Sequence, residues 1–294
     1  MNNLLNKTQE QLIKYSLKYY KLAHKRECNL LNPKLFTEKI LWYTFFYKNP
    51  LLPYIVDKIT FKDYIKSKLG EGYTIPLIAS WKSVEEFETD WDNLPQEFCL
   101  KSNLSSDGRN ILFIHDKKSE NFQAIRDEVA KWFLPENTNI NSLARNFYDR
   151  TPMVFAEEFM SNIGDQLYDY KLFCFDGKPV VMYVGSDHFS FENIKDCYPM
   201  SYYDMNWNYM NVSYGTHPTL STIPCPKHFE EMKSLAKELS KGFPFVRVDF
   251  FDTGDKLFVA ELTFNPGGGF VPFHPIEFEE FLSDLFVLPN DNKC

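Results

Sequence analysis

The sequence has 294 residues, 44% of them hydrophobic and 17% aromatic, which is enough to bury a large core in one large or two modest domains. The formal net charge of −8 argues against nucleic acid or an anionic membrane as the main partner, but it allows a local basic pocket. No apolar run reaches the length of a membrane span, and the start MNNLLNKTQE lacks a signal-peptide pattern. We therefore expect a cytoplasmic protein without membrane insertion, whose six scattered cysteines are reduced.

The first 48 or so residues are predicted to be helical, because their apolar residues follow a helical stripe that Asn32-Pro33 interrupts. This region is too short for a nucleotide-binding βαβ domain, so we expect a helical cap. The rest of the chain alternates between short predicted strands and amphipathic helices, with strands near 74–80, 98–101, 110–115, 153–156, 169–175, 178–184 and 245–265 and helices near 62–68, 84–91, 119–134, 226–241 and 276–286.

A predicted strand ends at Lys101 and runs into the polar loop 102–109, which contains Ser105, Ser106 and Gly108. Backbone N–H groups of such a loop can surround phosphate oxygens while the lysine adds positive charge. The sequence is not a Walker A motif, and an ordinary surface loop between two strands explains the pattern about equally well.

Charged residues follow or interrupt two further strands. Glu157, Glu158 and Phe159 follow the buried strand 153–156, where an acidic residue can bind an adenine amino group and a ribose, or can simply be solvated. Lys171 shares a face with two phenylalanines in the predicted hairpin 169–184, so it lies either at the rim of the sheet or opposite an anion.

Residues 186–226 are predicted to be irregular and are rich in tyrosine and tryptophan. A loop of this length is often a substrate-facing insertion, and its aromatic rings can stack on sugars. The alternative is a surface loop held in place by its own aromatic residues.

The segment 243–269 predicts two strands joined by a turn, with Arg247 and Asp249 on one face of the first strand. A two-residue loop would place Asp249 and Glu261 on opposite faces, and a three-residue loop would separate them by roughly 13 Å. A loop centred on Asp255 pairs Thr253 with Leu257 and sets Asp249 directly opposite Glu261. We predict this last register, with Gly254 as the left-handed residue of the loop.

Two carboxylates on one face of an apolar hairpin require compensation by a cation. A hard divalent ion held by Asp249 and Glu261, with Asn265 as a third oxygen ligand, provides it. Arg247 then meets a phosphate or a carboxylate, whereas the alternative is a structural ion pair with either acidic residue. Three glycines at 267–269 favour the ligand site, because they permit close approach of the backbone to a bound molecule.

Placed in order, the phrases NPKLFTEKILW, VDK, LPQEFCLKSN, DYKLFCFDGKP, LAKELS, VRVDFF and AELTF resemble the ATP-grasp superfamily, and most closely its TupA-like branch, named for teichuronopeptide biosynthesis. The resemblance extends from about residue 30 to about residue 275. It implies an α+β ATP-grasp fold, in which two subdomains with antiparallel sheets enclose a nucleotide cleft.

The resemblance also implies a role for each candidate residue. Lys58 and Lys101 would contact the ATP phosphates, and the loop with Ser105, Ser106 and Gly108 would be the flexible phosphate lid. Glu157, Glu158 and Phe159 would hold the adenine and ribose, and Lys171 would also reach the phosphates. Magnesium would be bound by Asp249 and Glu261, and Arg247 would contact the acyl phosphate or the acceptor.

Two features depart from the family pattern. Many relatives have a full N-terminal α/β domain, whereas only about fifty helical residues precede Lys58. The usual metal pair is Glu-x-Asn, but Thr263 follows Glu261 at that spacing, so Asn265 or a water would supply the missing ligand.

We predict a helical segment at 1–55, a lid or central subdomain at 56–156 and a C-terminal subdomain with the metal site at 157–294. The predicted function is ATP- and Mg²⁺-dependent ligation of a carboxylate to an amine through an acyl phosphate. By resemblance, the small-molecule substrates would be an amino acid and a uronic-acid-type sugar, glycan or nucleotide sugar of surface polysaccharide biosynthesis. The alternatives are a sugar kinase on the same scaffold, or a non-catalytic glycan-binding or glycosyltransferase-like protein.

Overall fold

A computed structural model describes residues 7–105, 108–138, 143, 150–159, 168–186, 198–220 and 222–289. The chain divides into two compact units. The first unit contains Pro50–Ile163, and the second combines Lys7–Asn49 with Gly164–Cys294. The predicted boundaries at 55/56 and 156/157 stay predictions.

The first unit combines four helices with a four-stranded antiparallel sheet. The helices are α3 (Leu52–Val56), α4 (Thr60–Leu69), α5 (Val84–Asp90) and α6 (Phe122–Trp132), and the strands are β1 (Leu77–Trp81), β2 (Phe98–Ser102), β3 (Ile111–Ile114) and β4 (Val154–Glu157). The strand order is β1-β4-β2-β3. The α+β class and the antiparallel pairing that we predicted are both present in this unit.

Strand alternation gives the sheet of the first unit two different faces. One face packs with α5 and α6 into a buried core that includes Phe87, Leu100 and Trp132. The opposite face carries Lys101 and Glu157, because these residues alternate with the core residues along β2 and β4. The sequence pattern therefore keeps both charged groups out of the apolar core.

The second unit contains a six-stranded antiparallel sheet of order β11-β10-β5-β6-β7-β8 and a small two-stranded sheet of β12 and β9. The strands are β5 (Asp169–Phe175), β6 (Lys178–Gly185), β7 (Met200–Asp204), β8 (Tyr209–Met210), β9 (Ser213–Tyr214), β10 (Phe245–Asp252), β11 (Leu257–Thr263) and β12 (Phe273–His274). The helices are α1 (Gln9–His24), α2 (Phe36–Phe46), α7 (Phe229–Leu239) and α8 (Ile276–Leu285).

Helices pack against the apolar residues on both faces of the larger sheet, and one of these faces also has a polar end. Helix α7 packs on β5, β6 and β10 through a buried stripe that includes Met232, Leu235 and Leu239. On the other face, Phe36 of α2 meets the rings of Phe173 and Phe245. The same face continues along β5 and β10 to the ionic residues described below.

The hairpin of β10 and β11 confirms the predicted pairing of Asp249 with Glu261, but it reaches this register by a different route. The pairing predicted for Thr253 and Leu257 is wrong, because Leu257 pairs with Asp252. The register then shifts by one residue next to Asp249, where β11 contains a bulge. A bulge adds one residue to a strand, so it returns Glu261 to the face of Asp249.

The prediction of irregular chain at 186–226 is wrong for residues 200–214, which contain β7, β8 and β9. Tyr202 and Tyr203 are both 1% exposed, because β7 pairs with β6 inside the sheet. Their rings therefore belong to the protein interior and are not available to stack on a sugar. Within the described part of the chain, no helix is both long and apolar enough to cross a membrane.

Candidate functional site

The first unit gathers two lysines around one buried glutamate. Glu157, at the end of β4, is 4% exposed and receives Lys101 of β2 on Oε1. Its Oε2 accepts a hydrogen bond of 2.8 Å from Lys62 of α4, whose ammonium also donates to the carbonyl of Ile75 at 2.6 Å. The structure thus brings together Lys101 and Glu157, and adds Lys62, which the sequence did not single out.

Charge is not balanced in this cluster, because two ammonium groups face one carboxylate and leave a surplus of +1. Burial disfavours the charged form of Glu157, but Lys101 and Lys62 hold its pKa below the ordinary value. Burial likewise opposes the charge on Lys101, and Glu157 more than offsets this by raising the lysine pKa. The surplus positive charge suits an anionic ligand such as a phosphate.

The loop after β2 is fixed by a network centred on Asn103. The Asn103 amide donates to Asp57 Oδ2 at 2.8 Å and accepts from the N–H of Met153 at 2.8 Å. Asp57 Oδ1 accepts from the N–H groups of Ile59 and Thr60 at the start of α4. Asn103 therefore ties the helix that carries Lys62 to the two strands that carry Lys101 and Glu157.

The remaining predicted nucleotide residues of this unit lie apart from the glutamate cluster. The Lys58 ammonium donates to the backbone carbonyl of Ser105, whose buried hydroxyl donates to the Ser102 carbonyl at 3.3 Å. Gly108 has a φ of 66°, which favours glycine. The other predicted positions are exposed Glu158, Phe159, whose ring packs edge-on against His115, and Ser106, which lies outside the described residues.

In the second unit, Asp249 is the centre of a buried ionic cluster. Arg247 donates to both of its carboxylate oxygens, at 2.7 and 2.6 Å. Lys171, directly opposite on β5, donates to Asp249 Oδ2 at 3.0 Å and also pairs with Asp169. Arg247 therefore forms the ion pair with Asp249 that was one of its two predicted alternatives. Lys171 is 8% exposed and faces the carboxylates of Asp169 and Asp249, so it lies opposite anions and not at the rim of the sheet.

Glu261 joins this cluster through Thr263. Thr263 accepts a hydrogen bond of 3.0 Å from Arg247 and donates one of 3.2 Å to Glu261. The Tyr183 hydroxyl accepts a further bond from Arg247 at 3.3 Å. Among the described residues, the side chain of Asn265 makes no hydrogen bond to Asp249 or Glu261, and its carbonyl accepts from Gly268 N–H at 2.9 Å.

Electrostatics in this cluster are opposite to those of the first unit. Among the described residues of this cluster, the three carboxylates Asp169, Asp249 and Glu261 outnumber the two cations. Burial disfavours ionised Asp249, but Arg247 and Lys171 together hold its pKa below the usual range. No group of three or more His, Cys, Asp or Glu placed to hold a metal exists in the described part of the chain. The carboxylate oxygens of this cluster are hard donors of the kind that a divalent cation binds, and further ligands would have to complete its coordination shell.

The glycine turn that follows β11 is closely packed. A Cβ atom on Gly267 would lie 2.2 Å from the hydroxyl of Tyr214, and one on Gly269 would lie 2.6 Å from the carbonyl of Thr37. Gly267 and Gly269 also have φ values of 56° and 77°. Both positions therefore require glycine for the packing of the protein itself, whether or not a ligand approaches the turn.

A cavity of about 480 Å³ lies beside this turn within the second unit. Its walls come from the end of α1, the segment after β9 and the segment after the glycines, and they include His24, His217, Phe270 and His274. His217 Nδ1 donates to the Tyr198 carbonyl at 3.1 Å. The volume suits a small molecule, and no sequence pattern predicted that these distant histidines would line one cavity.

Lys62, Asn103, Asp169 and Thr263 take part in the two clusters but were not singled out as candidate residues of the site. Two of them carried a sequence signal: Asp169 lies two positions before Lys171, and Thr263 lies two positions after Glu261, so each shares the strand face of a candidate residue. Lys62 lies on a helix, and its approach to Glu157 depends on how α4 packs on the sheet.

The family described as TupA-like ATPgrasp matches residues 38–287. A search of curated proteins finds no match.

Similar solved structures include the biotin carboxylase domain of a Hydrogenobacter thermophilus 2-oxoglutarate carboxylase with MgADP (16% identity, TM-score 0.43, 71% of this chain and 40% of that one). Others are D-alanine-D-alanine ligase from Helicobacter pylori (15%, 0.44, 81% and 62%) and the ATP-grasp ligase PsnB with Mg and ADP (11%, 0.39, 88% and 67%). The chain thus spans less than two thirds of the length of the first two structures. Because the family match covers most of the sequence, this chain belongs to the TupA-like ATP-grasp family and has the ATP-grasp fold.

Proposed function

We propose that this chain is an ATP- and Mg²⁺-dependent ligase that joins a carboxylate to an amine through an acyl phosphate. ATP-grasp proteins are typically ATP-dependent ligases, so the family supports the reaction class. The observation that carries the proposal is the pairing of Asp249 with Glu261, with Arg247 and Lys171 on the same sheet face. Cations and carboxylates arranged in this way match a reaction whose main requirement is stabilisation of phosphate charge.

The first unit would bind the nucleotide. Lys101 would exchange its contact with Glu157 for a phosphate oxygen, which the surplus charge of the cluster favours. Lys58 and the loop residues Ser105, Ser106 and Gly108 would cover the phosphates. The segment Glu157–Phe159, which begins at the last residue of β4, would hold the adenine and ribose.

The second unit would hold magnesium through Asp249, Glu261 and Asn265. Asp249 already accepts from Arg247 and Lys171, so binding of a divalent ion would replace one of these contacts. The bound ion would neutralise phosphate charge. The cation whose contact is replaced, Lys171 or Arg247, would then orient an anionic oxygen. Tyr183 and Thr263 would continue to hold the guanidinium of Arg247.

In the overall reaction, a carboxylate oxygen of the acceptor takes the terminal phosphoryl group of ATP and ADP leaves. The amine then attacks the acyl carbon, inorganic phosphate leaves, and one proton is lost from the nitrogen. We propose an amino acid and a uronic-acid-type sugar as the substrate classes, with a role in surface polysaccharide assembly, and a cytoplasmic location where ATP is available. The cavity beside the glycine turn is the candidate subsite for one of them.

The test is ADP release from Mg²⁺ and ATP in the presence of amino acids and uronic acids, singly and in pairs. Ligation predicts stoichiometric ADP, phosphate and amide only when both substrates are present. ADP release without an amine, together with a stable phosphoester, would show a kinase instead. Absence of Mg·ATP binding by calorimetry would leave the non-catalytic glycan-binding alternative.

Arg247→Lys tests the ionic cluster, since it preserves the charge but loses the two parallel bonds to Asp249. We expect it to lose most ADP release while Lys178→Arg, at an exposed position of β6, stays at the wild-type rate. Equal rates for both variants would contradict a role for the guanidinium in the reaction.

A further inference from the structure

Helix α1 and the residues that follow it are rich in positive charge. Residues 9–27 contain four lysines and one arginine against two glutamates, a local charge of +3, whereas the whole chain carries −8. The helix is well defined at its N-terminus by the capping box of Thr8 and Gln11. The buried residues of α1 are Leu12, Ser16 and Tyr20.

The exposed side of α1 is divided into two parallel stripes. Tyr15, Tyr19 and Leu22 follow the spacing i, i+4, i+7, so they lie on one line along the helix. They remain 44%, 48% and 69% exposed. Lys14, Lys18, Lys21 and Lys25 follow the same spacing on an adjacent line, and all four are exposed.

Exposed ion pairs do not neutralise this lysine stripe. Lys14 and Lys21 pair with Glu10 and Glu27, but the side chains of these pairs are 62–77% exposed, so solvent and salt weaken them. Arg26 is different, since it binds the buried carboxylate of Glu279 and belongs to the interior.

We propose that this face of α1, the apolar stripe and the lysine stripe together, docks on an anionic lipid surface. An amphipathic helix that presents exposed aromatic and aliphatic residues beside lysines has the composition of a helix that lies in the membrane interface. The apolar stripe would enter the headgroup layer and the lysines would meet lipid phosphates. The surrounding negative charge of the chain would orient this face toward the surface.

An acidic polysaccharide is the main competing occupant, because aromatic rings can also stack on sugars. Stacking on a sugar needs a free ring face. The rings of Tyr15 and Tyr19 instead stack on each other at 6.5 Å and 6°, and Tyr19 packs edge to face on Phe270 at 4.9 Å. Leu22, the most exposed member, has no ring to offer, so the apolar stripe fits acyl chains better.

The full chain should be tested for co-sedimentation with vesicles of phosphatidylcholine alone and with 30% phosphatidylglycerol. Binding should require phosphatidylglycerol and should weaken as salt rises. Replacing Lys18 and Lys25 by Gln should lower binding about 25-fold, since each lysine near such a surface contributes about fivefold. The matched control replaces Lys178 and Lys237, two exposed lysines of the same unit, by Gln and should bind like wild type.

Leu22→Ser tests the apolar stripe and should lower binding about tenfold, given the area that the leucine exposes. All variants change exposed side chains, and unchanged thermal midpoints would establish that they remain folded. No vesicle binding, equal binding to both vesicle types or equal losses in the control pair would overturn the proposal. Binding to polygalacturonate, but not to vesicles, with the same dependence on Lys18 and Lys25 would assign the surface to an acidic glycan instead.

Discussion

Lys101 is the position where stability and function can be separated most clearly. Lys101→Met keeps the length of the side chain and removes the cation from Glu157, which is 4% exposed. Leaving a buried charge without its partner costs about 3–5 kcal/mol. Because Lys62 still donates to the other carboxylate oxygen at 2.8 Å, we expect a loss at the lower end, about 3 kcal/mol. ADP release should fall below detection, because the variant removes the surplus positive charge that we propose binds a phosphate.

The stability of each variant is measured by urea unfolding, and its activity by ADP release at saturating ATP. Lys66→Met is the matched control, since Lys66 pairs with Glu71 at the surface and should leave the unfolding midpoint unchanged. Adding Glu157→Gln to Lys101→Met removes the uncompensated carboxylate, so it should restore part of the stability but none of the activity. Wild-type turnover in Lys101→Met would refute the phosphate role. Equal stability of Lys101→Met and Lys66→Met would refute the buried ion pair.

Three further predictions concern the second unit. Gly267→Ala should destabilise the protein by about 2–5 kcal/mol, because it adds left-handed strain to a contact 2.2 Å from the Tyr214 hydroxyl. The control Gly242→Ala has open space around it, so it should cost only the backbone strain of about 1–2 kcal/mol. In a double-mutant cycle, Tyr214→Phe should relieve part of the stability loss of Gly267→Ala. The absence of coupling between these two substitutions would contradict the close contact of Gly267 with the Tyr214 hydroxyl. Glu261→Gln should abolish most of the additional thermal stabilisation of the ATP-bound protein by Mg²⁺, which is about 2.7 kcal/mol at a hundredfold excess over Kd. An undiminished stabilisation would exclude Glu261 as a ligand. The pKa of Asp249 is lower in the folded protein than its value of about 3.9 in the unfolded chain. Its stabilising effect is therefore present above about pH 3.9 and is lost as the pH falls through the folded pKa. Asp249→Asn should accordingly make the unfolding midpoint depend less on pH between about pH 5 and pH 2. A parallel pH profile for wild type and variant would show that the carboxylate is not held in its charged form.

Alternation along single strands was a reliable guide to the candidate site. The sequence placed Lys171 on the face of Phe173, and the structure confirms this, because successive residues of a strand point to opposite faces whatever surrounds them. The pairing of Asp249 with Glu261 was also predicted correctly, but for an incomplete reason. A bulge in β11 restores the register that the predicted loop was meant to produce, and such an irregularity leaves no mark in the pattern of apolar residues.

Residues 200–214 show the opposite case. Their aromatic content suggested a ligand-facing loop, yet β7 extends the sheet and buries Tyr202 and Tyr203. Tyrosine suits both a binding surface and a half-buried strand, so composition does not distinguish the two. Hydrogen bonding to β6 decides between them, and that pairing joins segments whose register the sequence pattern does not encode.

Outside residues 200–214, the sequence by itself determined the order of the main elements, the faces of the strands and the ATP-grasp family, since each follows from local periodicity or from phrases in a fixed order. Only the tertiary structure decided which charges meet: Lys62 with Glu157, Arg247 with both oxygens of Asp249, and Thr263 between Arg247 and Glu261. Ion pairing depends on distances of about 3 Å between side chains. Helix packing, strand register and a single bulged residue set those distances, and none of these is fixed by the residues on one strand alone.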